Sequence, residues 1–146
     1  MNYASVVRVL ALLLLIVAGA ALPSVLIAFA AGEEDQIFAF IAMIIAILVG
    51  ASTVLLLTPK PSRKARSSDA LGTVILWWAA TPVAACLPFI LGVENQSVFH
   101  AVHEATACLT TSGQSVIAIQ NNDWPISLIV WRGMLHLLGG VATIVT

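Results

Sequence analysis

The sequence predicts an all-α membrane protein with two leading transmembrane helices, followed by one unit of transmembrane helix, re-entrant hairpin and transmembrane helix. Sixty per cent of the 146 residues are hydrophobic, 9% are charged and the mean hydropathy is +1.04. Soluble domains have roughly 45–50% apolar and about 25% charged residues. Apolar runs occupy most of the chain, and a polar segment separates the last two of them. The net charge of −1 gives no electrostatic basis for binding nucleic acid.

The first apolar run, residues 9–31, contains no charged residue over 23 positions. A helix of that length crosses a hydrocarbon core of about 30 Å at a rise of about 1.5 Å per residue. Arg8 precedes the run, and the small residues at 18–20 resemble a cleavage site, so a signal peptide is the alternative interpretation. The length of the run favours a transmembrane helix.

The other three runs are residues 37–58, 70–93 and 126–146. All three are long enough to cross a bilayer. Pro82 and Pro88 fall inside the third run, where we expect them to kink the helix or to end it early. These runs divide the chain into an N-terminal unit, residues 1–69, and a second unit, residues 70–146.

The charges between the runs predict the orientation. The first loop holds three acids, and the segment between the second and third runs holds four bases. These residues are Glu33, Glu34 and Asp35 in the first loop, and Lys60, Arg63, Lys64 and Arg66 in the second. By the positive-inside rule, the basic loop and both termini are cytoplasmic and the acidic loop is outside. Anionic lipid is the simplest partner for the basic loop.

The segment between the last two runs, residues 94–125, predicts a re-entrant hairpin. Residues 97–109 have the pattern of a helix of about 13 residues, and Ser97 is a plausible N-cap. The hydroxyl-rich sequence "TTSG" follows this helix. Irregular backbone at membrane depth is tolerated only where it is buried in protein or lines a water-filled path. The hairpin therefore predicts a pore or a binding cavity.

The hydroxyl-rich turn has the chemistry of a cation site. A cation that leaves water needs fixed oxygens, which consecutive backbone carbonyls and neighbouring hydroxyls supply without a trapping charge. The glycine allows backbone angles that turn carbonyls toward an axis, and the negative end of the preceding helix dipole favours a cation. The residues expected to coordinate the ion are Thr110, Thr111, Ser112 and Gly113.

The stretches "HEATACLTTSGQSV" and "WRGMLHLLGG" together resemble the bacterial Trk/Ktr potassium uptake transporters, which are related to the plant and fungal high-affinity potassium transporters (HKT). The residues that match the family pattern are Glu104, Leu109, Thr110, Thr111, Gly113, Val116, Trp131, Arg132, Gly139 and Gly140. The departures are Ala107, Cys108, Ser112, Gln114 and Ser115. Hydroxyls are retained at Ser112 and Ser115, whereas Gln114 places a bulkier amide beside the glycine.

The resemblance implies a potassium-channel-like transporter or symporter of a bacterial inner membrane, with a selectivity filter built from four hairpins. This chain contains one hairpin, so it is either the N-terminal portion of a longer transporter or a subunit that must assemble, and we expect the former. The resemblance also implies a homodimer, a cytosolic nucleotide-binding regulatory subunit of the TrkA/KtrA kind, transported K⁺ or Na⁺ and no other cofactor. Glu104, Gln114 and Arg132 are expected to support the filter.

Several residues have alternative interpretations. Arg132 lies about 9 Å below the start of the fourth run, at a depth where a charge needs a partner. In the first interpretation it pairs with Glu104 or with a carbonyl behind the turn. In the second it extends toward the outer headgroups. His100 and His103 are one helical turn apart, but no third metal ligand is evident, so they are expected to be surface residues.

Other classes of protein are less well supported. Cys86 and Cys108 lack the spacing of a metal site or a disulfide framework and are expected to be packing residues. A membrane enzyme would need a nucleophile with its base, or a metal set, which this sequence does not offer. A four-span scaffold without a pore remains the alternative, in which "TTSGQSV" is an ordinary outer loop.

Overall fold

The computed structural model describes residues 3–59, 67–93, 96–115 and 124–145, and this part of the chain is helical with connecting turns and contains no strand. The helices are α1 (Tyr3–Ala20), α2 (Leu22–Ala31), α3 (Glu34–Leu57), α4 (Ser67–Ala85), α5 (Leu87–Leu91), α6 (Val98–Leu109) and α7 (Ile126–Val145). Four stretches are long and apolar enough to cross a membrane: Tyr3–Ala31, Glu34–Leu57, Ser68–Leu91 and Ile126–Ile144. The predicted all-α membrane fold is confirmed. The bases of the loop, Lys60 to Arg66, lie outside the described residues.

The first span consists of two helices, where the sequence pattern predicted one uninterrupted run. The regular helix stops at Ala21, which lies directly before the Leu22-Pro23 start of α2. Proline has no N–H to donate to the preceding turn, so the ladder is interrupted there. Ala21 keeps helical angles, with φ −78° and ψ −17°, and the span therefore continues in nearly the same direction.

The third span is also divided, and a neighbouring helix compensates for the break. Pro82 is accommodated inside α4, whereas the helix is interrupted at Cys86, before Pro88. The N–H of Phe89 donates to the Cys86 carbonyl at 3.0 Å, one residue short of the regular α-helical partner, Ala85. The indole N–H of Trp131 donates to the Ala85 carbonyl at 3.2 Å. The freed backbone group is thus satisfied by a side chain from α7, as membrane interiors require.

Contacts between helix ends show which ends lie together. The Arg8 guanidinium, near the start of α1, donates to the carbonyls of Leu55 and Thr58 at 2.9 and 2.7 Å and so caps the end of α3. At the opposite end of the bundle, the Gln36 amide donates to the Gly92 carbonyl at 2.5 Å. The start of α1 therefore lies beside the end of α3, and the start of α3 lies beside the end of the third span.

The start of α7 is fixed by the loop between α2 and α3. The Glu33 carboxylate accepts the backbone N–H groups of Ile126, at 2.7 Å, and Ser127, at 3.3 Å, together with the Ser127 hydroxyl. These N–H groups belong to the first turn of α7, which has no intrahelical acceptors for them. A carboxylate there also interacts favourably with the helix dipole. The loop after the first span and the beginning of the fourth therefore lie at the same end of the bundle.

The interior is closed mainly by aromatic and small side chains. The rings of Phe40 and Trp131 meet edge to face with centroids 5.9 Å apart, and both side chains are fully buried. Cys86 and Cys108 are buried and free, in agreement with their predicted role in packing. Trp77 is buried as well, so it is a core residue.

Candidate ion-binding site

The helix that leads into the hydroxyl-rich turn begins as the sequence predicted. The Ser97 hydroxyl accepts the backbone N–H of His100 at 3.2 Å, which makes Ser97 the N-cap of α6. The helix packs against α7, and its buried face includes Ala101, Ala105 and Cys108. Small side chains on this face let the two helices lie close together.

The end of α6 is a Schellman turn with a threonine where glycine is usual. The N–H of Ser112 donates to the Ala107 carbonyl at 3.0 Å, and the N–H of Thr111 donates to the Cys108 carbonyl at 3.1 Å. Thr111 has φ 58°, a left-handed conformation that a β-branched residue rarely adopts. Such a residue costs on the order of 1–3 kcal/mol, and such residues cluster at functional sites. The turn is therefore held in a strained shape by its hydrogen bonds.

The hydroxyls of the turn direct their hydrogens toward the helix. The Thr110 hydroxyl donates to the Thr106 carbonyl at 2.8 Å, and the Ser112 hydroxyl donates to the Ala107 carbonyl at 3.2 Å. A hydroxyl that donates its hydrogen in this way leaves its oxygen lone pairs free to accept. Each of these two hydroxyls can therefore offer lone pairs to a cation.

The backbone carbonyls of the turn also have lone pairs that are free to bind a cation. Among the described residues, no N–H or O–H donates to the carbonyls of residues 110–113, and all four residues are exposed. The turn thus presents an exposed group of oxygens that accept and do not donate. The site residues predicted from the sequence, Thr110, Thr111, Ser112 and Gly113, lie together here.

The chain reverses direction after the turn. Gly113 has φ 68°, a second left-handed residue, which glycine adopts without strain. Two residues later, the Ser115 hydroxyl donates to the Glu104 carboxylate at 3.0 Å, so the chain has returned along the side of α6. The described part of the segment is thus a helix, a tight turn and a returning segment without regular secondary structure. Val116, which also matches the family pattern, lies outside the described residues.

A buried ion pair joins the hairpin to α7. The Arg132 guanidinium contacts the carboxylate of Glu104, whose side chain is 0% exposed, against 19% for the side chain of Arg132. The Trp124 ring lies on the same guanidinium, with its centroid 4.9 Å from Cζ, at a cation–π distance. Arg132 therefore has a carboxylate partner, as the first of its two interpretations predicted.

The end of α6 lies deep along α7. A Cβ on Gly139 would lie 1.7 Å from the Leu109 carbonyl oxygen, so only glycine permits this approach. Gly139 is 13 residues after Ile126, which corresponds to about 20 Å along the helix. The hairpin therefore extends more than half of the length of the fourth span. No such approach occurs at Gly140, where no atom of another described element lies within 4 Å of a Cβ position.

His136 also lies beside the turn, although no role was predicted for it from the sequence. Its Nδ1 lies 2.7 Å from the Arg132 carbonyl, and its Nε2 lies 3.8 Å from the position of a Cβ on Gly113. The spacing of residues 132, 136 and 139 places them on one face of a helix, a signal that could have identified His136.

The other predicted residues take no part in these contacts. Gln114 is exposed and makes no hydrogen bond to another described residue. His100 and His103 are exposed on α6, and the described residues hold no cluster of three or more potential metal ligands. Support of the turn by Gln114 stays a prediction.

These features define a class: a polytopic α-helical membrane protein in which a short helix and a tight turn enter the bundle between two spans. No family model matches the chain. It is 29% identical over 144 residues to the Trk system potassium uptake protein TrkI of Halomonas elongata, covering 99% of this chain and 29% of the relative. It is 26% identical over 146 residues to the Trk system potassium uptake protein TrkH of Vibrio parahaemolyticus, covering 99% of this chain and 30% of that protein.

The crystal structure of the potassium transporter TrkH from Vibrio parahaemolyticus has the same fold. It aligns with a TM-score of 0.88 and 26% sequence identity, over 99% of this chain and 31% of that one. The chain is homologous to the Trk potassium uptake proteins, and the resemblance inferred from its two motifs is confirmed. It spans less than a third of the length of the relatives that it matches.

Proposed function

We propose that this chain takes part in potassium uptake by contributing one strand of a selectivity filter, made by the oxygens of residues 110–113. The observation that carries the proposal is the exposed group of carbonyls without a donor among the described residues. Such oxygens replace the hydration shell of a monovalent cation. The relatives are named as potassium uptake proteins, which selects potassium among the monovalent cations.

The ion pair supports the proposal because it connects the turn to a spanning helix. Glu104 accepts a hydrogen bond from the Ser115 hydroxyl on the returning segment and contacts Arg132 on α7. One carboxylate on α6 therefore joins the helix of the hairpin, its returning segment and α7. Filter oxygens must keep their spacing when an ion enters or leaves. Arg132 and Glu104 are therefore bracing residues, and Arg132 has no need to contact the ion.

One strand supplies oxygens on one side of an ion only. We infer that three further hairpins complete the ring, and that residues 1–69 and 70–146 are the leading pair of spans and the first repeat. The basic loop and both termini of this chain are placed in the cytoplasm of a bacterial cell, and the residues of the turn open toward an axis shared with the other hairpins. A homodimer and a cytosolic nucleotide-binding regulatory subunit are part of the same proposal.

Cysteine scanning of residues 110–115 tests the proposal. The complete protein is expressed in cells that lack their own potassium uptake, and each variant is treated with a small thiol reagent with and without K⁺. Cys86 and Cys108 are buried, so these two natural cysteines are expected to label slowly. A filter predicts block of uptake by the reagent and protection by K⁺ at residues 110–113. Uniform labelling that K⁺ does not affect would support the scaffold alternative.

A further inference from the structure

We infer that His136 is a positioning residue that sets the size selectivity of the turn by supporting Gly113 from α7. The inference rests on the proposed function, because it concerns the same coordinating oxygens. It goes beyond that proposal in naming the side chain that determines which cation the turn fits.

The imidazole ring of His136 is fixed at one edge. Its Nδ1 lies 2.7 Å from the Arg132 carbonyl, and because a carbonyl only accepts, this contact places the hydrogen on Nδ1. Arg132 is itself held by Glu104 and by the Trp124 ring. Arg132 therefore has two roles: its carbonyl holds the imidazole ring of His136, and its guanidinium braces the hairpin through Glu104.

The opposite edge of the ring faces the turn. Nε2 lies 3.8 Å from the Cβ position of Gly113, and it is the one atom found within 4 Å of that position among the described residues outside the immediate chain neighbours. A methyl group built at that position would be in ordinary van der Waals contact with Nε2, so a space of about one methyl group separates the ring from the glycine. Gly113 has no side chain of its own to fill this space, so His136 provides the wall behind it.

Without the His136 side chain behind it, Gly113 would be the least constrained residue of the turn. Ser112 is held to the Ala107 carbonyl through both its N–H and its hydroxyl. Ser115 is held to Glu104. Between these two anchors, the Gly113 N–H makes one longer bond, 3.3 Å, to the Ala107 carbonyl. Glycine also has the widest range of backbone angles. The carbonyl of Gly113 can therefore move outward unless a neighbour prevents it.

A smaller side chain at position 136 enlarges the space behind Gly113 and lets the turn widen. Oxygens that retreat from the axis favour larger cations over potassium, because cation selectivity depends on cavity size and on the field of the carbonyls. We therefore expect His136→Ala to improve the relative uptake of Rb⁺ and Cs⁺. The expected change in the ratio of KM for Rb⁺ to KM for K⁺ is about threefold to tenfold, equivalent to roughly 0.7–1.4 kcal/mol.

The test measures uptake of K⁺, Rb⁺ and Cs⁺ by the complete protein in cells that lack their own potassium uptake. His136→Gln, whose side chain has a similar reach, is expected to keep the ratio near the natural value. Leu137→Ala is the control, because Leu137 is the adjacent residue and is 60% exposed. A ratio of KM values does not depend on how much protein is made, so a general loss of folding leaves it unchanged.

The outcomes separate this inference from the proposed function. If His136→Ala does not reach the membrane, His136→Asn creates a similar gap and is expected to change the ratio in the same direction. An unchanged ratio in the smaller variants, or an equal change in Leu137→Ala, overturns the role of His136 while potassium uptake stands. Absence of saturable potassium uptake in the unsubstituted protein would instead overturn the proposed function.

Discussion

Gly139 provides the sharpest test of how α7 positions the end of the hairpin helix. In the Gly139→Ala variant, the new methyl group would lie 1.7 Å from the Leu109 carbonyl oxygen and 2.7 Å from its carbonyl carbon. Ordinary contact begins at 3.4 Å, so the two backbones must separate by up to about 1.7 Å (3.4 − 1.7). The obstructing atoms are backbone atoms, which cannot move aside as a flexible side chain can.

The displacement acts directly on the residue before the turn. Functional sites need their groups held within about 0.5 Å, so a shift of more than 1 Å at Leu109 is expected to change the spacing of the oxygens that follow. Overpacking of this kind also costs about 1–3 kcal/mol of stability. We expect each misplaced oxygen to cost on the order of 1 kcal/mol of the free energy of potassium binding. Gly139→Ala is therefore expected to raise the KM for potassium about tenfold or more.

The assay is potassium uptake at a series of concentrations, together with the thermal stability of the purified complete protein. Gly140→Ala is the matched control, because no atom of another described element lies within 4 Å of a Cβ at that position and alanine is the better helix former. The control should keep the KM and the melting temperature. Equal KM values in the two variants would refute the conclusion that the Gly139 contact positions the turn.

Three further predictions concern other contacts. Arg132→Gln should lower the melting temperature and the K⁺/Na⁺ uptake ratio, because breaking a buried ion pair costs about 3–5 kcal/mol of stability. Combining Arg132→Gln with Glu104→Gln should recover part of that stability, and additive losses in the double variant would contradict the pairing. Trp131→Phe leaves the Ala85 carbonyl without its donor and should cost about 1–3 kcal/mol, measured as a lower melting temperature; an unchanged value would contradict the compensation of the Pro88 break. Glu33→Ala removes the cap of α7 and should cost about 0.5–2 kcal/mol, whereas Glu34→Ala, at an exposed position, should not; equal effects would exclude a specific cap.

The parts of the fold that were predictable depend on local signals. Run length alone identified the four spans, because a bilayer imposes a minimum length on every crossing helix. Ser97 was predicted as an N-cap because its hydroxyl bonds to a residue three positions away. Pro23 carried an equally local signal for the break in the first span, and that break could have been predicted in the same way as the one at Pro88.

The parts that were missed depend on contacts between distant residues. Glu33 binds the start of α7 across 93 and 94 positions, and nothing near Glu33 in the sequence indicates its partner. The approach of His136 to Gly113 likewise exists only once the hairpin lies against α7. The pairing of Arg132 with Glu104 was predictable because a charge at that depth requires a partner and few carboxylates are available. The coordinating role of residues 110–113 stays a prediction.

The most direct test of that role is anomalous diffraction from crystals of the complete protein grown with Rb⁺ in place of K⁺. We predict an anomalous peak within coordination distance of the carbonyls of Thr110, Thr111, Ser112 or Gly113, on the side away from Glu104. Peaks confined to other parts of the protein, in a preparation that still takes up Rb⁺, would contradict it.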